Sequence, residues 1–174
     1  MTKPDADVLP FCVLLHVEGD KFARTRGGAS RAHWDWLFAT DKDGPLITWS
    51  GDVLVEGGTL DLGDLHGTSC SVVRLPDHRR KYLTYDGPLS GDRGSVCGIL
   101  RGAYRLGDQR ANRFEAVVVE STHGTPAIIR FQWNEPGGHR PASATAPREF
   151  EGSNWTLTVE SSKPNVSEPA SEAI

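Results

Sequence analysis

The feature that most constrains this chain is its punctuation. Apolar runs of strand length are each cut short by Gly, Pro, Asp or Asn, and no segment sustains the helical apolar period of about 3.6 residues. Strands are expected at 11–16, 33–39, 46–49, 52–56, 68–75, 82–85, 95–101, 113–121, 126–133 and 154–161. The 19 glycines and 11 prolines supply the turns between them. Short strands at regular spacing predict a mainly β fold: a small closed or nearly closed antiparallel β-barrel with short flanking helices or loops. At 174 residues the chain is long enough for one domain with a real core.

Residues 1–10 read as a flexible N-terminal arm, 11–161 as the barrel domain, and 162–174, rich in Ser, Pro and Glu, as a disordered acidic tail. Two longer loops are expected, 17–32 and 134–148. No apolar stretch reaches membrane-span length, and the first residues lack the apolar core of a signal peptide. Cys12, Cys70 and Cys97 are odd in number and read as buried free thiols, which suits a cytoplasmic protein.

A net charge of -4 argues against indiscriminate nucleic-acid binding. The charge is uneven, however. Residues 74–105 hold seven Lys or Arg against three Asp, whereas 149–174 hold five Glu against one Lys. The basic stretch surrounds His78, where a phosphate-bearing substrate could dock. On charge alone it reads equally as solvated surface.

Two histidine groups could carry chemistry, although a single histidine in a strand is more often structural. In a strand, residues two apart share a face. His33 and Asp35 therefore point one way, with Trp34, Trp36 and Phe38 on the other, so one face is fit for chemistry and one for the core. His16, at the end of the run from Phe11, can join them from a neighbouring strand. Two imidazoles and a carboxylate form a ligand set for Mn²⁺ or Zn²⁺ that leaves positions open for water and a phosphate oxygen. The second group is His78 with Tyr82, separated by Arg79, Arg80 and Lys81. His78 could give a proton to a leaving oxygen, and Tyr82 could hydrogen-bond a phosphate oxygen. A basic surface loop with a packed Tyr82 is the other reading of the same residues. His66, His123 and His139 lie in Gly-rich turns and read as solvated. Ser90 to Ser95 contains glycine but precedes a strand, so it lacks the helix dipole of a phosphate cradle.

In order along the chain stand FxxxxH (Phe11 to His16), RxHWD (Arg31 to Asp35), Thr48-Trp49, DHxxxYxxYDG (Asp77 to Gly87), GxV (Gly94 to Val96) and GxxW (Gly152 to Trp155). This order resembles the 3'-phosphoesterase domain of bacterial ligase D, the multidomain end-joining ligase, over about residues 11–161. The resemblance implies a small β-barrel that is a manganese-dependent nuclease and phosphatase in DNA repair. It implies trimming of a 3'-terminal ribonucleoside and removal of the remaining 3'-phosphate. By position, His16, His33 and Asp35 would hold the Mn²⁺, or another divalent ion such as Zn²⁺. His78 and Tyr82 would face the scissile phosphate, with Arg31 as a supporting cation. Arg74, Arg79 and Arg80 are the expected phosphate-binding residues. The implied partners are nucleic-acid 3' ends, with separate ligase or polymerase proteins and no membrane.

The departures are specific. Sixteen residues, 17–32, separate the first histidine from the second, an insertion relative to the family. Leu37 and Cys70 stand where the family has arginines, with Arg74, or Arg24 and Arg26 of the insertion, as possible replacements. The alternative expectation is therefore a weakened or inactive barrel of the same kind that binds nucleic-acid ends or a partner without turnover. A lipocalin-like barrel holding an apolar ligand is a third reading.

Overall fold

The first strand begins earlier than its apolar run suggests. In a computed structural model that describes residues 7–19, 32–124, 126–134 and 154–162, β1 spans Val8–Val17, so 8–10 of the expected arm already belong to it. β2 (Ala32–Ala39), β3 (Leu46–Gly51) and β4 (Thr68–His78) follow, then β5 (Gly87–Pro88), β6 (Ser95–Arg110), β7 (Arg113–Ser121), β8 (Ala127–Trp133) and β9 (Asn154–Ser161). Short 3-10 turns lie at Leu62–Leu65 and Arg80–Leu83. All strand pairings are antiparallel, in the order β1-β2-β3-β4-β9-β8-β7-β6, and β6 pairs back onto β1. The sheet thus closes on itself, which removes the exposed edges of an open sheet. β5 adds to β6 beside the same residues, Ser95 and Val96, that pair with Val17 and His16.

The expected mainly β, ring-closed fold is what the chain adopts. Two of the expected strands are not strands. Residues 52–56 lie outside any ladder, and Val53, Leu54 and Val55 pack against the core as part of the connection that carries Leu60, Leu62 and Leu65 into it. At 82–85, Tyr82 and Leu83 end the second 3-10 turn instead. β6 runs nine residues past its expected end at 101, with register shifts after Ala103 and Leu106 that let its polar second half follow the closing ring.

Alternation sorts the side chains into two layers. Trp34, Trp36, Phe38 and Trp49 point inward with Phe114, Phe131 and Trp155. Trp49 stacks on Phe131 at 4.1 Å between centroids, and Tyr104 Oη donates to the Ala39 carbonyl at 2.6 Å. This interior is filled by side chains, which removes the reading of a barrel holding an apolar ligand. On the outer wall a smaller apolar cluster of Cys12, Leu14, Leu37, Ala39, Leu46 and Val96 is covered by Tyr82. That cluster fixes the Arg80–Leu83 turn against β1 and β2. Of the three free thiols only Cys12 is buried; Cys70 is half-buried and Cys97 projects outward, so the expectation of three buried cysteines is corrected. Among the described residues no helix is long and apolar enough to cross a membrane.

Candidate metal centre

The β1–β2 register pairs His16 directly with His33, and Leu14 with Asp35. All three polar side chains lie on the outer wall, the face opposite the tryptophans. One potential ligand atom from each of His16, His33 and Asp35 lies within 4.8 Å of the others. His16 Nδ1 is 3.5 Å from Asp35 Oδ2, and His33 Nε2 is 3.4 Å from Asp35 Oδ1.

Each imidazole turns one nitrogen to Asp35 and the other outward. His16 Nε2 is 2.8 Å from the Arg93 carbonyl oxygen. A carbonyl only accepts, so Nε2 carries the proton and neutral His16 presents its Nδ1 lone pair to the cluster. His33 Nδ1 faces the Glu18 carboxylate, with Oε1 at 3.5 Å. An outer acceptor that sets the tautomer of a ligating histidine is the usual companion of a metal site.

Asp35 is 2% exposed. Burial pushes its carboxyl up, but His16, His33 and Ser50 beside it outweigh that and hold it below the usual carboxylate range. Burial pushes His16 down; Asp35 and the Arg93 carbonyl outweigh it and raise the imidazole above its ordinary value. Asp35 Oδ1 is buried and makes no hydrogen bond, although His33 Nε2 stands 3.4 Å away. A buried carboxylate oxygen without a donor is costly. A cation bound between the two imidazoles and Asp35 would satisfy it, so the residues present fit a divalent ion.

His78 closes the opposite side. It shares a cleft of about 160 Å³ with His16, Glu18, His33, Asp35 and Arg93. Its Nδ1 donates to the Pro76 carbonyl at 2.9 Å, which leaves Nε2 as the lone-pair nitrogen of the neutral ring. Tyr82 stands beside it, 5.7 Å between ring centroids, and lines an adjoining pocket with Leu14, His16, Asp35 and His78.

The expected phosphate-binding arginines separate. Arg79 lines a shallow cleft with His78 and Tyr82. Arg74 does not reach the site: it is 1% exposed, lies over the Trp49 ring, donates from Nη1 to the Thr48 carbonyl at 3.0 Å, and pairs with Asp77. It does share a strand face with Cys70, but that face is the interior. Arg80 turns away to the Asp41 carbonyl, 3.1 Å from Nη1. Arg31, Arg24 and Arg26 lie outside the described residues. Of the histidines expected to be solvated, His66 and His123 are exposed, and His139 also lies outside the described residues.

Glu18 and Arg93 escaped the sequence reading. Glu18 was legible by strand parity, two residues beyond His16. Arg93 was not, because its place depends on β6 pairing with β1. The close approach of that turn needs glycine at two points. Gly94 has φ +92°, and a Cβ there would overlap the Val17 carbonyl; one at Gly19 would overlap the Asp92 carbonyl.

Fold and site together define a closed antiparallel β ring whose outer wall carries two imidazoles and a carboxylate suited to a divalent cation. No protein-family model matches the chain, and no curated protein matches it.

Proposed function

We propose that this chain is a cytoplasmic, divalent-metal-dependent phosphoesterase acting on 3' ends of nucleic acid, the activity that its resemblance to the ligase D domain implies. The observation that carries this reading is the convergence of His16, His33 and Asp35 within 4.8 Å, with His78 and Tyr82 on the facing wall. His16 through Nδ1, His33 through Nε2 and Asp35 would hold the ion, Mn²⁺ in the first instance. When bound, such an ion supplies Lewis acidity to a phosphoryl oxygen and a more acidic water. His78 works with Nε2, the nitrogen left over by the bond to Pro76: it takes or gives the proton at an oxygen of the scissile phosphate. Arg79 supplies fixed positive charge beside it. Tyr82 and Leu14 supply apolar wall to the pocket that they line with His16, Asp35 and His78.

The test is release of phosphate or of a terminal ribonucleoside from a 3'-phosphate or 3'-ribonucleotide primer-template, with and without Mn²⁺. Turnover that needs the metal and is abolished in His33→Ala supports the reading. Metal-loaded native protein with no turnover on either end excludes it.

One observation favours a second reading, end binding or partner binding without turnover. Leu37, where the family has an arginine, is fully buried in the outer apolar cluster, and Arg74 is committed to the interior. Retention of 3'-phosphorylated ends by native protein, without release of phosphate, would identify that case.

A further inference from the structure

Arg93 lines two clefts that open beside His16 and Asp35, and a third beside His78 and Tyr82. Among the described residues lining these clefts, the only other fixed cation is Arg79, which borders one. The Arg93 guanidinium is held by one edge: Nε donates to the Ser90 carbonyl at 2.7 Å and Nη2 to Ser90 Oγ at 3.0 Å. Nη1 donates to none of the described residues. The turn carrying it is pinned by the bond from the Leu89 amide to the Gly94 carbonyl, 2.7 Å, and by the close approach of Gly94 to β1. An arginine fixed along one edge on a turn that lines the clefts of a histidine-carboxylate cluster, with a donor left over, is pre-organised for a phosphate oxygen.

We infer that Arg93 is the principal phosphate-binding side chain of this site, taking a non-bridging oxygen of a 3'-terminal phosphate through Nη1 while its main-chain carbonyl fixes His16. This deepens the phosphoesterase reading and rests on it for the identity of the ligand. The two roles of Arg93 use different atoms, so they separate by mutation. Arg93→Ala removes the guanidinium and keeps the carbonyl.

The probe is a pair of fluorescent oligonucleotides identical except for a 3'-phosphate or a 3'-hydroxyl, with binding measured by anisotropy on metal-free full-length chain. Native protein is expected to prefer the phosphorylated end. Arg93→Ala should reduce that preference about tenfold or more, the size of a lost charge-assisted hydrogen bond. Arg93→Lys should keep part of the preference, Ser90→Ala should lose a smaller part, and Arg80→Ala, which points to Asp41, should keep it all. Mn²⁺ affinity, measured calorimetrically, should be unchanged in Arg93→Ala.

If Arg93→Ala and Arg93→Lys, both folded by thermal melt, discriminate the two ends as native protein does, the inference is overturned even where native protein turns over. If native protein shows no preference, it is overturned as well. Arg93-dependent preference in a chain that neither binds Mn²⁺ nor turns over would uphold the phosphate site and sink the enzymatic reading instead.

Discussion

His16 and His33 are direct register partners across the β1–β2 pair, and their rings meet at 4.6 Å between centroids. Two imidazoles at that distance gain little by packing on each other in a wall that faces solvent. What makes the arrangement informative is the orientation around it. Each ring is held from behind by an acceptor, Arg93 carbonyl or Glu18, and each turns its other nitrogen to Asp35.

Glu18 is therefore expected to act as a positioning residue for His33. Glu18→Ala should weaken Mn²⁺ binding by about 10–100-fold, the usual cost of losing an outer partner of a ligating histidine. Glu18→Gln, which keeps an acceptor oxygen, should lose less. Calorimetric titration gives the affinities. Imidazole ¹⁵N shifts report whether His33 keeps its proton on Nδ1 in each variant. An unchanged affinity in Glu18→Ala would show that Glu18 does no more than fill space.

Metal-free and metal-bound protein should respond oppositely to pH. His16 is raised above its reference of 6.5 in the fold, so the stability it contributes is fully present below that value. It is lost as pH rises through the folded value. Over the same window the Nδ1 proton that competes with a cation is removed. The melting temperature of metal-free protein should thus carry a contribution from His16 that falls as pH rises above about 6.5. The stabilisation conferred by a fixed Mn²⁺ concentration should grow over that range. Asp35, held below the usual carboxylate range, contributes stability that is present above its unfolded value and lost only in strong acid, so it does not titrate in this window. Thermal melts across pH, with and without Mn²⁺ and compared with His16→Ala, check the sign.

An arginine placed at Leu37 should destabilise the protein rather than activate it. Leu37 is 0% exposed, beneath Tyr82 and beside Cys12 and Leu46. An arginine there buries a charge in an apolar cluster whose neighbour on the same strand face, Asp35, is already engaged by His16 and His33, a change that typically costs about 3–5 kcal/mol. Chemical denaturation of Leu37→Arg should show a midpoint shift of that order, and a stable, active variant would mean the outer cluster opens more readily than its packing indicates.

The thiols should separate by place. Burial pushes Cys12 up to about 12, whereas Cys97 projects from β6 into solvent. Native protein treated with a maleimide at neutral pH should therefore label at Cys97 and leave Cys12 unmodified until it unfolds. Mass mapping of the labelled peptides reads this directly. Fast labelling at Cys12 would show that the Arg80–Leu83 turn lifts from β1, which would also free Tyr82 from the site.

Which parts of this molecule were legible in its sequence follows from the range of the forces involved. Alternation is local, so the shared face of His33 and Asp35, and the inward turn of Trp34, Trp36 and Phe38, could be read directly. The approach of His16 needed only that the first two strands be neighbours. Arg74 was misplaced for a subtler reason. Its parity with Cys70 was right, but parity cannot say which face is the interior, and Arg74 faces Trp49. Residues 52–56 alternate like a strand yet cover the core as a connection, because no neighbouring strand offers them a partner. Arg93 was illegible because closure of the ring, a contact between β1 and β6, is what brings its turn to His16.

That dependence on closure yields the sharpest mutational expectation outside the ligand set. Gly94 has φ +92° and stands where any Cβ meets the Val17 carbonyl, so Gly94→Ala must displace the turn from the end of β1. The positive φ alone costs about 1 kcal/mol for a residue with a side chain, and the overlap adds to it. As the turn moves, the Arg93 carbonyl leaves His16 Nε2, and the imidazole loses the bond that fixes its tautomer. Gly94→Ala should therefore lower Mn²⁺ affinity although it alters no ligand, and should do so more than Gly91→Ala. Gly91 also has positive φ, +73°, but a Cβ there meets nothing within 4 Å. Comparing the two variants by calorimetry and thermal melt separates backbone strain, common to both, from displacement of the turn. Equal losses in the two would mean that the register between the turn and β1 does not set the geometry of His16.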